Sequence, residues 1–202
     1  MGFLRKLFRT TPIPTTDGAF SPSPLAIKLG TSTTTDYDGG AYAKPYVGPK
    51  NRVLMICTEE RNMTMANGKK FSTGNHPVEM GLPMLHLMNA GFEIDIVTPT
   101  GAPVAIEEWA MPADDADVKR LYRDHADTFA NPGSLADFVA HKMNGAAPYA
   151  AVFIPGGHGA MLGLPDNKNV GEVLYWAHEQ DLFTLALCHG PAALLAAKTE
   201  KG

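Results

Sequence analysis

Three short apolar runs constrain this chain more than any other feature: Arg52–Cys57, Tyr149–Ile154 and Leu182–Leu187. Each has the length of a strand, and a strand apolar on both faces belongs in a parallel sheet that is covered on both sides. Phe92–Thr98 alternates instead, as a half-buried strand does. Helical segments separate these runs. One begins near His76, with Pro77 in its first turn, and ends before Gly91. Two more are expected around Asp115–Phe129 and from Ser134, divided by Asn131-Pro132. Gly171–Gln180 is another, and Gly190 to Ala197 starts a last one. The alternation predicts an α/β fold, a parallel sheet with helices on both faces.

The 202 residues supply roughly one domain. Residues 1–50 read as an extended arm rich in Thr, Ser, Gly and Pro, with neither a strand nor a helix period, lying on the domain or on a partner subunit. Residues 51–202 form the α/β domain, with a small, more polar helical insertion at about 101–147. Phe3, Leu4, Leu7 and Phe8 would line one face of a short basic helix able to touch a membrane, and the competing reading is a frayed terminus. A hydrophobic content of 45% excludes disorder throughout. No stretch approaches the ~20 apolar residues of a membrane span. A net charge of −4 argues against a nucleic-acid surface. Two cysteines make no disulfide framework, which points to a reducing, cytoplasmic setting.

In a parallel sheet, sites gather beyond the carboxyl ends of the strands. Three segments fall at such ends: the loop leading to Glu79, Pro155-Gly-Gly-His-Gly159, and Cys188-His189-Gly190. Cys188 stands on a strand-to-helix turn of nucleophile-elbow type, where a helix N-terminus would favour thiolate. The competing reading is an inert buried cysteine, which suits Cys57 at the end of the first strand. His189 is a base, an orienter, a backbone donor, or a surface histidine at a helix start. Glu79 stands three residues after His76, either capping its own helix or lying desolvated beside the thiol as a proton shuttle. Gly156 and Gly157 permit a backbone that aims N–H groups at an oxyanion, or serve only a tight turn. No phosphate-loop lysine pattern is present.

Phe71–Glu79, Trp109–Pro112, Phe153–Gly159 and Leu187–Ala192 together resemble the PfpI superfamily of flavodoxin-like proteins. The nearest branch is that of HchA-type heat-shock chaperones, also described as glutathione-independent glyoxalase III and protein deglycase. The likeness covers Lys44 to Ala197. It implies a flavodoxin-like sheet, with Cys188 as nucleophile, Glu79 as the carboxyl beside it and His189 as the accompanying histidine. The implied substrates are methylglyoxal, glyoxal or glycated protein, handled without a cofactor. The implied assembly is a homodimer, and a holdase function would bind unfolded proteins instead. An amidase or peptidase is the weaker alternative, because an unactivated amide demands more of the acid that protonates its leaving amine.

Two departures from the family pattern carry expectations of their own. Metal-bearing members bind zinc through two histidines and a glutamate. Glu93 and His125 match two of these, and Met88 stands where the other histidine would be. A thioether is a poor zinc ligand, so no metal is expected. Family members also continue beyond the position of Gly202, with the acidic residue that orients the histidine and with further strands. The C-terminal part of the fold is therefore expected to be missing, the chain being a fragment or one that another chain completes.

Overall fold

The computed structural model describes residues 9–143 and 147–198, so the expectation for residues 3–8 lies outside the described residues. Its main sheet has five parallel strands: β3 (Arg52–Ile56), β6 (Glu93–Thr98), β7 (Gly133–Ser134), β8 (Tyr149–Ile154) and β9 (Phe183–Ala186). Their order is β7-β6-β3-β8-β9. The chain leaves β3 towards β6 and later returns to β3's other side with β8, so the strand order reverses at β3/β8. A crevice opens at such a reversal, and ligands of open α/β sheets collect there.

The apolar runs become strands because both faces are covered. Val53, Met55 and Cys57 point to one side of β3 and pack with Met80, Met84, Leu121 and Phe129. Leu54 and Ile56 point to the other and pack with Leu135, Phe138, Val170, Val173 and Trp176. The first set lies under the helices Pro77–Asn89 and Ala116–Asp124, the second under Leu135–His141 and Lys168–Glu179. Each such side chain, once fully buried, contributes about 1.5–3 kcal/mol.

Four sequence expectations need correction. The segment expected as one helix at Asp115–Phe129 is two, Ala116–Asp124 and Ala126–Ala130, because His125 departs from helical backbone. The segment from Gly190 forms a 3₁₀ helix, Gly190–Ala196. The apolar run of β9 is not buried: Phe183 is 73% exposed, and among the described residues β9 pairs only with β8. An apolar run reports what a strand could bury, not whether a neighbour covers it.

The fourth correction concerns local structure that no period revealed. Residues 9–50 contribute β1 (Ile13–Pro14), β2 (Phe20–Ser21) and the helix Pro24–Gly30, capped by Ser23. The loop after β3 contributes β4 (Asn62–Thr64) and β5 (Lys70–Ser72), giving a small sheet in the order β1-β2-β5-β4. Strands of two or three residues are too short for a hydrophobic period to register. Further contacts fix the arm: Thr35 donates its N–H and hydroxyl to Asp115 Oδ2 at 2.9 and 2.6 Å, and Tyr46 stacks on Phe92 at 5.1 Å.

Candidate active site

The three strand-end segments singled out in the sequence meet at the carboxyl edge of the sheet. Asn75, fully buried, clamps two of its neighbours together. Its Oδ1 accepts from Thr58 N–H, and its Nδ2 donates to the carbonyls of Thr58 and Ala105 at 3.0 and 2.7 Å. Gly159 N–H then donates to the Gly74 carbonyl at 3.0 Å, and His76 N–H to the Gly156 carbonyl at 2.9 Å. The loop ending in Glu79 is thus bound backbone to backbone to the glycine loop after β8.

That last bond removes the capping option for Glu79. A capping carboxylate would reach back to the His76 N–H, but Gly156 already holds it. The His76 ring instead caps the helix, accepting from Glu79 N–H at 3.5 Å. The Glu79 carboxyl turns towards Gly156 and Cys188. A Cβ at Gly156 would collide with Glu79 Oε2 and lie 2.7 Å from Cys188 Cβ. Gly156 therefore provides clearance, which lets the carboxyl and the cysteine approach across bare backbone. Glu79 Oε2 is buried with no nitrogen or oxygen donor among the described residues, and the Cys188 thiol is the group beside it.

Cys188 takes φ +50°, a left-handed conformation that a non-glycine residue adopts at some cost. The turn is held by Leu187 N–H on the Ile154 carbonyl at 3.2 Å and by Gly190 N–H on the Leu187 carbonyl at 2.6 Å. Gly190 cannot carry a side chain, since a Cβ there would meet the Ile154 carbonyl oxygen at 2.5 Å. Cys188 is exposed. His189 Nδ1 lies 3.3 Å from its sulfur, so the two neighbours face each other despite being adjacent in sequence.

The electrostatics differ from the sequence expectation. Partial desolvation, then the charge and hydrogen bond of Glu79, push the Cys188 thiol above its ordinary pKa, while backbone N–H groups of His189 and Gly157 pull the other way. The expected lowering by a helix N-terminus is outweighed by desolvation and then by Glu79, the helix being only a short 3₁₀ turn. Of the two glycines proposed for an oxyanion, Gly157 (φ +108°) brings its N–H to the sulfur, and Gly156 supplies the space. Cys57 is fully buried, donates to Met80 Sδ at 3.6 Å, and is pushed far up by burial alone.

Two side chains that sequence reading passed over stand in the same cluster. His158 lies inside the glycine motif, where only the glycines drew attention, and its ring is 4.8 Å from that of His189. Glu107, fully buried, bonds His158. Nothing local distinguishes it from Glu108, so its burial was invisible in sequence. The three positions aligned with zinc ligands do not suit that metal. Met88 offers only a thioether, and Glu93 pairs with Arg52. Among the described residues no three His, Cys, Asp or Glu side chains gather as a metal site, and no helix is long and apolar enough to cross a membrane.

Glu79, the glycine loop and Cys188 all lie within the stretch that matches a known family. The DJ-1/PfpI family pattern matches residues 70–202. The chain is 47% identical over 196 residues to the protein/nucleic acid deglycase HchA of Pseudomonas aeruginosa, covering 95% of this chain and 67% of that one. It is 48% identical over 180 residues to the enzyme of the same name from Escherichia coli O1:K1, covering 89% and 63%. The chain therefore spans about two thirds of the length of these curated relatives. Among solved structures, glyoxalase III from Candida albicans superposes with a TM-score of 0.60 at 23% identity, covering 76% of this chain and 63% of that one, which is a likeness of fold. With its sheet order, its cysteine elbow and its glycine loop in place, the chain belongs to the DJ-1/PfpI family.

Proposed function

We propose that this site converts methylglyoxal or glyoxal to the corresponding hydroxy acid without glutathione, and removes early glycation adducts from protein by the same thiol chemistry. The observation that carries the reading is the approach of a buried, donor-free Glu79 oxygen to an exposed thiol on a left-handed turn. The names of the HchA relatives support the deglycase half of it.

The thiol gives its proton to Glu79, and the sulfur adds to the aldehyde carbon to form a hemithioacetal. Its oxygen is met by the backbone N–H groups that face the sulfur, as an oxyanion hole requires. Glu79 passes its proton to that oxygen, Glu79 or His189 then removes the hydrogen from the same carbon, giving an enediol, and that proton is delivered to the neighbouring carbon. The aldehyde carbon is oxidised to a thioester while the ketone carbon is reduced to an alcohol, so no external oxidant is needed. Water hydrolyses the thioester and releases the hydroxy acid with the thiol restored. The test is methylglyoxal consumption with lactate formation in glutathione-free buffer. Wild-type turnover that is lost in Cys188→Ala supports the proposal, and turnover that survives the substitution overturns it.

A second reading has its own observation. Phe183, Leu185, Leu187, Leu194 and Leu195 expose apolar surface on and beyond β9, Phe183 and Leu195 at 73% and 65%. Such a patch suits a holdase that binds unfolded chains. Cys188→Ala should leave suppression of aggregation intact while abolishing aldehyde turnover, and loss of both would refute independence of the two functions.

A further inference from the structure

A second ionisable pair stands against the site and takes no part in the steps above. Glu107 Oε1 accepts from the Thr73 hydroxyl at 3.1 Å, from His158 N–H at 2.9 Å and from His158 Nδ1 at 2.8 Å. Its other oxygen is buried with no donor among the described residues. A carboxylate so enclosed is costly unless a cation partners it, and His158 is the group placed to do so. With Nδ1 tethered, the His158 ring lies over the His189 ring at 4.8 Å and 31°. Phe71 and Trp109 wall the same ring at 5.3 and 6.3 Å.

The geometry points to His158, tethered by Glu107, as a positioning residue that holds the His189 ring against Cys188 and sets a cation against the charge of Glu79. The inference rests on Cys188 being the nucleophile, and it assigns the pair a role in that sulfur's reactivity. The hydrogen bond to Glu107 leads the causes that raise the His158 pKa, with the charges of Glu107 and Glu79 adding to it. His158 therefore keeps its charge to higher pH than a free histidine, and loses it as pH rises through the folded value. While charged, it offsets the field of Glu79, which after desolvation is the next cause that holds the Cys188 thiol up. The titratable groups shown to interact with the pair are Glu79, on the Pro77–Asn89 helix that His76 caps, and His189 after β9, itself against Cys188; Lys70 of β5 and Glu108 beside Trp109 are the other charged groups on those elements. β5 presents Phe71, which is uncharged.

The experiment is the pH dependence of Cys188 alkylation by iodoacetamide in the whole chain, read by peptide mapping. In His158→Gln the rate at pH 7, where the charge of His158 acts, falls by about tenfold, the effect of one pK unit, and the two profiles converge at alkaline pH, where His158 is neutral in the wild type. Glu107→Gln lowers the rate at pH 7 in the same way, and the double variant goes no further, because the two act as one unit. An unchanged rate at pH 7 with only lower thermal stability would reduce the pair to packing and overturn the inference, as would additive losses. His158 is 35% exposed, so His158→Gln carries the test if Glu107→Gln does not fold. Alkylation needs no aldehyde. A lowered rate at pH 7 in His158→Gln, with no methylglyoxal turnover by the wild type, upholds this inference and defeats the proposed reaction, and turnover with an unchanged rate does the reverse.

Discussion

Cys57 and Cys188 each follow a parallel strand of the same sheet, yet one continues the central strand β3 and the other leaves the edge strand β9. Cys57 keeps the strand's direction, donating its N–H to the Val97 carbonyl at 2.8 Å and packing its sulfur among Met80 and its neighbours. Cys188 breaks from the strand at φ +50°, which turns its sulfur out of the sheet towards Glu79, His189 and the Gly157 N–H. Burial pushes both thiols up, but at Cys57 it acts alone, whereas at Cys188 two backbone donors oppose it and a carboxyl stands ready to take the proton. The surroundings of each thiol are thus set by where the backbone turns and not by which strand ends in cysteine.

The largest expected effect is on turnover. Replacing Cys188 with Ala should remove methylglyoxal consumption to the limit of detection, whereas Cys57→Ala should leave it within a few-fold of wild type. If Cys57→Ala is the variant that abolishes turnover in a folded protein, the contrast between the two cysteines is reversed. Next comes Glu79→Gln, where two readouts should move in opposite directions. Loss of a general acid–base group lowers turnover by roughly 10²–10⁴-fold. Removing the charge that raises the thiol lets the Cys188 alkylation midpoint fall to lower pH, so labelling at neutral pH speeds up. Stopped assays and alkylation profiles on the same preparation check both, and slower labelling in Glu79→Gln would contradict the geometry.

Selective labelling sharpens the comparison further. In the folded wild-type chain iodoacetamide should modify Cys188 while leaving Cys57 untouched, and Cys57 should react only after denaturation. Equal labelling of the two in native buffer would mean that the elbow is not formed. The smallest effect concerns stability. Gly156→Ala forces a methyl group against Glu79 and Cys188, for about 1–3 kcal/mol by the usual cost of overpacking. Denaturant midpoints measure it, and an unchanged midpoint with full turnover would show that the carboxyl and the cysteine do not approach across that glycine.

Much of this was legible in advance, for identifiable reasons. The runs at Arg52–Cys57 and Tyr149–Ile154 carry an uninterrupted apolar pattern because both of their faces are covered, and they became β3 and β8. The helix at Pro77–Asn89 was readable from its proline start and the glycine beyond its end. The short strands at Ile13–Pro14, Phe20–Ser21, Asn62–Thr64 and Lys70–Ser72 were not, since pairing between distant segments makes them and no local period does. Glu79 was ambiguous for a related reason. Its position in the helix suits a cap, and only the bond from His76 to Gly156 removes that option.

Sequence alone determined the fold class, the strands that carry the core, and the candidate trio Cys188, Glu79 and His189, because apolar pattern and residue chemistry are local properties that survive without coordinates. Tertiary structure decided the strand order that gathers the three loops, the exposure of β9, the direction of the Glu79 carboxyl and the pairing of Glu107 with His158. Those depend on contacts between residues far apart along the chain, and on how desolvation and charge add up at one point in space. No stretch of sequence contains either quantity.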